Sequence, residues 1–263
     1  MVTSILPITE LTAFAEGLAA IAADITLPAF RNTKEVENKL QAGFDPVTLA
    51  DKEAERAMSQ MIRARYPEHG ILGEEYGRVS GTSPLTWVLD PIDGTRAFIT
   101  GMPLWGTLIA LNDGQRPVLG VMSQPFTKEI FVGTSNGSWL NGRRLKTRSC
   151  SDIESAVLMS TSPELFDIPQ RREAFDQLMR RARLTRFGGD CYSYCMVAMG
   201  LVDVVIEDNL KPYDVQALIP IIEGAGGVMT SWEGGSAQGG GAIVACGDPN
   251  LHAWLVKHLS QAL

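Results

Sequence analysis

Trp87-Val88-Leu89-Asp90-Pro91-Ile92-Asp93-Gly94-Thr95-Arg96-Ala97-Phe98 is an apolar run that stops at one carboxylate and meets a second three residues later. Pro91 has no N–H to give a ladder, so pairing is expected to cease after Asp90. Gly94 permits a sharp turn from which Thr95 opens a helix. Asp90 and Asp93 then face one small space. Two hard carboxylates there suit Mg²⁺, which keeps some of its waters and takes substrate phosphate as a further ligand. The N–H groups of Gly94 and Thr95 suit the phosphate itself. Taken alone, the pair also reads as an Asx-turn at Asp90 and a helix cap at Asp93.

Upstream, Ile71-Leu72-Gly73-Glu74-Glu75-Tyr76-Gly77 sets two acids after a short apolar segment, between glycines that mark a loop. Asp45-Pro46-Val47-Thr48-Leu49-Ala50-Asp51 reads as a turn into a helix running through Ala54, Met58, Met61 and Ile62 towards Tyr66-Pro67. Asp45 or Thr48 would cap that helix, with Asp51 in its first turn. Before it, Leu11, Phe14, Leu18, Ile21 and Ile25 recur at helical steps, predicting an amphipathic helix from Ile8 to Phe30.

Downstream, Leu104 to Leu111, Val118 to Ser123 and Ile130 to Gly133 read as strands of an antiparallel meander, with Asn136-Gly137 and Asn141-Gly142 as tight turns. Beyond Thr147 strands and helices alternate, which predicts α/β organisation. The strands are Ala156 to Thr161, Leu184 to Phe187 and Val204 to Glu207; the helices are Arg171 to Ala182 and Cys191 to Met199. Gly188-Gly189-Asp190, with Arg186 just upstream, lets backbone approach closely at a strand-to-helix turn, where Asp190 is either a cap or a substrate contact. Pro212-Tyr213-Asp214 starts a helix expected to continue to Gly224. Gly234 to Gly241 lacks a phosphate-loop or dinucleotide fingerprint and reads as a mobile surface loop before a strand from Ile243 to Cys246, with a closing helix from Leu251 to Leu259.

A chain of 263 residues, 45% hydrophobic and 20% charged, is long enough to bury a sizeable core. Its net charge of -7 argues against nucleic acid or an anionic membrane as partner. Four cysteines without a Cys-x-x-Cys pair, remote from the histidines, argue against zinc. No run of 18 apolar residues and no secretory pattern appears, so a reduced, cytoplasmic location is expected.

Together, Asp51 in its Val-Thr-x-x-Asp setting, Gly73-Glu74-Glu75, Asp90-Pro-Ile-Asp93-Gly-Thr95, and Tyr213-Asp214 followed by Gly224-Ala-Gly-Gly resemble the inositol monophosphatase family along nearly the whole chain. The resemblance implies a layered α-β-α-β-α fold, a single phosphatase domain over 1–263 with an antiparallel-sheet lobe (about 1–147) and an α/β lobe (148–263). It also implies lithium-sensitive hydrolysis of a phosphate monoester by a homodimer with two or three Mg²⁺ per site. Position by position, Glu74, Asp90 and the Ile92 carbonyl match the ligands of one metal, and Asp90, Asp93 and Asp214 those of a second. Thr95 matches the hydroxyl that orients the attacking water, with Asp51 accepting from Thr95 and Glu74 taking part in proton removal.

At the substrate end the pattern departs from inositol-type members: Arg96-Ala97 stands where they usually have Thr-Asn, and Gly188-Gly189-Asp190-Cys191-Tyr192 replaces a Gly-Ser/Thr-Ala-type segment. These stretches, with Trp105-Gly106-Thr107 and Leu210-Lys211-Pro212-Tyr213-Asp214, look like the histidinol-phosphatase branch. Glu207 matches the substrate-contacting acid of the family. With Asp190 it is expected to accept hydrogen bonds from the ammonium or imidazole of L-histidinol phosphate. Two rivals are a haloacid-dehalogenase-type phosphatase, whose paired acids are closer in sequence, and a phosphate-binding regulatory subunit without turnover.

Overall fold

The computed structural model describes residues 7–32, 37–38 and 46–263. The turn expected at Asp45 lies outside them. α1 (Ile8–Ala29) buries Leu11, Ala15, Leu18, Ala19 and Ala22; the small side chains let it lie close to α2 (Leu49–Arg65), which answers with Ala54, Met58 and Ile62. By length and a mean hydropathy of 1.3, α1 would suit a membrane span, but its apolar stripe is taken up by α2 and the sheet beneath. Between the two helices β1 (Glu37–Asn38) pairs antiparallel with β2 (Pro46–Val47).

The large sheet holds β3 (Gly70–Gly73), β4 (Gly77–Val79), β5 (Thr86–Asp93), β6 (Gly106–Asn112), β7 (Pro117–Gln124), β8 (Glu129–Thr134), β9 (Gly137–Leu140) and β10 (Arg143–Arg144) in the order β10-β9-β8-β7-β6-β5-β3-β4. From β5 to β10 it is the expected meander; β3 joins β5 in parallel and turns back antiparallel into β4. Pairing does not end at Asp90. It skips Pro91 and Ile92 and resumes at Asp93 opposite Gly106, a bulge where the missing proline N–H costs no ladder bond. Gly94, at φ +83°, then admits α3 (Thr95–Ile99).

The second sheet contains β11 (Val157–Ser160), β12 (Leu184–Phe187), β13 (Val204–Leu210), β14 (Val228–Ser231) and β15 (Gly241–Cys246), ordered β12-β11-β13-β15-β14. Its first three strands run parallel; β15 is antiparallel to both β13 and β14. One face packs on α4 (Pro169–Arg181) and α8 (Pro249–Leu259) through Phe175, Leu178, Leu251 and Leu255. The other face meets α5 (Asp190–Ala198) and α7 (Leu218–Gly224), which are covered on their far side by Val88, Leu108 and Met122 of the large sheet. The layers are therefore α-β-α-β-α.

The single helix expected from Pro212 to Gly224 is broken into α6 (Pro212–Val215) and α7. Pro220 cannot donate to the Gln216 carbonyl and its ring crowds that oxygen, so the helix yields there. β14 escaped the sequence reading, being short and without alternation. The stretch from Gly234 to Gly241 is more than a surface loop: it holds a single 3-10 turn, buries Ala237, and is tied by Gln238, whose side chain accepts from Asn112 at 3.1 Å and whose carbonyl accepts from Gln216 at 3.0 Å.

Candidate active site

The bulge at the end of β5 aims Asp90 and Asp93 into a cleft of about 230 Å³ between the two sheets. Asp90 Oδ1 accepts from the Ile92 N–H at 3.1 Å, so the Asx-turn is real. Asp93 Oδ2 accepts from the Cys191 N–H at 2.7 Å, fixing it to the first turn of α5. Asp214 Oδ2 accepts from the Lys211 N–H at 2.7 Å, closing the start of α6. Each carboxylate spends an oxygen on the fold and still brings one to a common point: oxygens of Asp90, Asp93 and Asp214 lie within 4.8 Å of one another. Glu74, in the β3–β4 turn, joins them in the cleft lining, as do Ile92, Gly94, Thr95 and Arg96.

These acids repel one another where water is scarce. Asp90 and Asp93 are held well above the usual carboxylate range, first by burial and then by neighbouring charge: Glu74, Asp93 and Asp214 act on Asp90, and Asp190 and Asp214 on Asp93. Burial also lifts Asp214 to about 7, against the Lys211 N–H and with help from Glu74 and Glu207. Such a site calls for positive charge. A compact set of hard oxygen donors suits a divalent cation, which Asp90, Asp93 and Asp214 could hold, with Glu74 beside them in the lining.

The same cleft is lined by Asp190 and Glu207, whose charges act on Asp93 and Asp214 respectively. Asp190 heads α5 with φ +45° and is raised to about 7 by burial and by Glu207, with Arg96 opposing. Glu207 on β13 is 2% exposed; its Oε1 accepts from the Thr161 N–H at 2.7 Å and its Oε2 from the Tyr194 hydroxyl at 2.9 Å. Burial raises Glu207 too, and those two hydrogen bonds resist the rise. Thr161, Ser162, Leu165, Tyr194 and Leu210 also line the cleft and were not anticipated. The signal that would have found Thr161 is topological, since ligands gather beyond the carboxyl ends of parallel strands and Thr161 follows β11.

Two expected arrangements are absent. Thr95 Oγ1 donates to the Ile92 carbonyl at 3.0 Å rather than to Asp51. Asp51 is 1% exposed and instead accepts from both the N–H (2.8 Å) and the hydroxyl (2.6 Å) of Thr48 as the helix cap of α2, because that partner is only three residues away. Burial lifts Asp51 to about 7, and Glu74 and Glu75 add to the rise. Arg186 lies exposed on the edge strand β12 and does not line the cleft; the glycine turn that follows redirects the chain before Asp190 reaches it.

The model of the inositol monophosphatase family matches residues 8–263. The bifunctional phosphatase IMPL2, chloroplastic, of Arabidopsis thaliana is 40% identical over 266 residues, covering 95% of this chain and 76% of that protein. A histidinol-phosphatase of Chlorobaculum parvum is 35% identical over 219 residues, 82% of this chain and 84% of the relative. The solved structure of an inositol monophosphatase from Zymomonas mobilis superposes with a TM-score of 0.85 at 41% identity, covering 96% of this chain and 98% of its own. The chain belongs to the inositol monophosphatase family of metal-dependent phosphatases.

Proposed function

We propose that the chain hydrolyses L-histidinol phosphate with Mg²⁺, and that Asp190 and Glu207 recognise the amine or imidazole of that substrate. One observation carries this reading: beyond the acids that gather for metal, the cleft holds two further carboxylates, half-buried Asp190 and buried Glu207, whose repulsion a cationic substrate group would relieve. An uncharged polyol offers no such relief. The likeness to a histidinol-phosphatase supports the same substrate.

When bound, the cations polarise the phosphoryl oxygens and lower the pKa of the water that attacks phosphorus. Gly94 and Thr95 flank the phosphate at the start of α3. The Thr95 hydroxyl, donating to the Ile92 carbonyl, keeps its oxygen lone pairs available to orient that water, and Glu74 takes part in removing its proton. Thr161 and Tyr194 hold Glu207 in one rotamer, so it meets the substrate without reorganising.

The likeness to an inositol monophosphatase structure favours inositol-1-phosphate as the second reading. Phosphate release from the two esters, measured side by side with Mg²⁺ and with chelator, separates them. Preference for histidinol phosphate that disappears in chelator and in Asp93→Asn is the expected result. Preference for inositol-1-phosphate would overturn the roles given to Asp190 and Glu207 while keeping the metal chemistry.

A further inference from the structure

Glu55 lies one turn after Asp51 on the same face of α2, is 1% exposed, and does not line the cleft. Its carboxylate reaches across to the β3–β4 turn, where Oε2 accepts from the Glu75 N–H at 2.7 Å and Oε1 from the Tyr76 N–H at 3.0 Å. These are the two amides that directly follow Glu74. A buried carboxylate is costly to keep unless strongly bonded, and both of its oxygens are bonded to this one turn. The turn is shaped to receive it: a Cβ at Gly73 would collide with the Glu55 carboxylate. Glycine before Glu74 therefore leaves the space that the brace fills.

The geometry points to Glu55 as a positioning residue that acts through Glu74, fixing the turn from beneath so that the Glu74 carboxylate is delivered to the metal-binding acids. The inference rests on the reading of Glu74 as a metal ligand. Outer partners of ligating carboxylates commonly contribute ten- to a hundredfold to metal affinity. Glutamine in place of Glu55 keeps one acceptor and turns an NH₂ towards the second amide, so one of the two bonds is lost with little change of volume.

The test compares the full chain with Glu55→Gln, Gly73→Ala and Glu74→Gln, measuring Mg²⁺ binding by titration calorimetry, amide exchange at Glu75 and Tyr76 in metal-free protein, and kcat with KM. Glu55→Gln is expected to weaken Mg²⁺ binding about tenfold or more, to speed exchange at those two amides, and to lower kcat with KM for the phosphate ester within about twofold. A lower melting temperature with wild-type Mg²⁺ affinity would reduce Glu55 to a packing residue and overturn the inference. If Glu55→Gln does not fold, Gly73→Ala decides in its place: it leaves Glu55 present and displaces its carboxylate, so weakened Mg²⁺ binding supports the brace and wild-type binding overturns it. Wild-type affinity in Glu74→Gln would instead remove the reading of Glu74 on which the inference stands.

Discussion

At the scale of single residues, Asp190 combines two unusual properties: a left-handed backbone at φ +45° and a carboxylate raised to about 7. Asparagine tolerates that backbone, alanine does so poorly. Asp190→Asn should therefore leave the melting temperature unchanged or slightly higher, because a half-buried charge beside Glu207 is removed. It should also raise KM for an amine-bearing ester roughly tenfold or more, the worth of one charge-assisted hydrogen bond. Asp190→Ala should add a stability loss of about 1–2 kcal/mol from backbone strain. Thermal melts and steady-state kinetics on the pair separate strain from recognition. The sequence offered two readings for Asp90 and Asp93, a turn or cap and a cation ligand. The turn at Asp90 is present, whereas α3 starts from Gly94 and Asp93 accepts from the Cys191 N–H instead of capping it; oxygens of both still lie near Asp214. Asp51 shows the limit of reading residues alone: its nearby Thr48 partner outcompetes the remote Thr95, and only the folded backbone ranks the two.

At the scale of elements, Gly120 on β7 and Gly133 on β8 let α7 lie directly on the large sheet; a Cβ would strike the Ala217 carbonyl in the first case and the Ile221 backbone in the second. Gly133→Ala should destabilise by about 1–3 kcal/mol, the usual cost of overpacking. Because α6 leads into α7, it should also displace Asp214 and depress Mg²⁺ affinity; denaturant midpoints and titration calorimetry read the two effects. Short apolar runs between Gly- and Pro-containing turns made the meander legible, and helical spacing made α1 and α2 legible. The interruption between α6 and α7 had a visible cause in Pro220, but apolar spacing on either side hid it. The resumption of β5 at Asp93 depends on pairing with Gly106, a partner that no local pattern names.

At the scale of the whole molecule, the crowded acids govern how stability responds to pH. Asp51, Asp190 and Asp214 are each raised from an ordinary 3.8 to about 7, and Asp90 and Asp93 are raised as well. Between those limits the folded chain binds more protons than the unfolded chain, so stability falls as pH rises through the window and stays reduced above it. In chelator the melting temperature should drop steadily from about pH 5 to pH 8. Added Mg²⁺ should raise it far more at pH 8 than at pH 5, because cation binding requires the ionised acids and stabilises by mass action. A melting temperature in chelator that climbs with pH would contradict the clustering of these groups.

The hydrogen bond from the Cys191 N–H to Asp93 joins residues 98 apart along the chain and ties the large sheet to α5, the helix packed on the second sheet. Closing so long a loop is entropically slow, and neither half can complete the cluster without the other, since Asp90 and Asp93 come from β5 and Asp214 from α6. Cation affinity is thus a clock for the final docking event in folding. During refolding, far-UV circular dichroism should recover before Mg²⁺ binding does, and a chain cut between the two sheets should regain affinity only when both fragments are mixed.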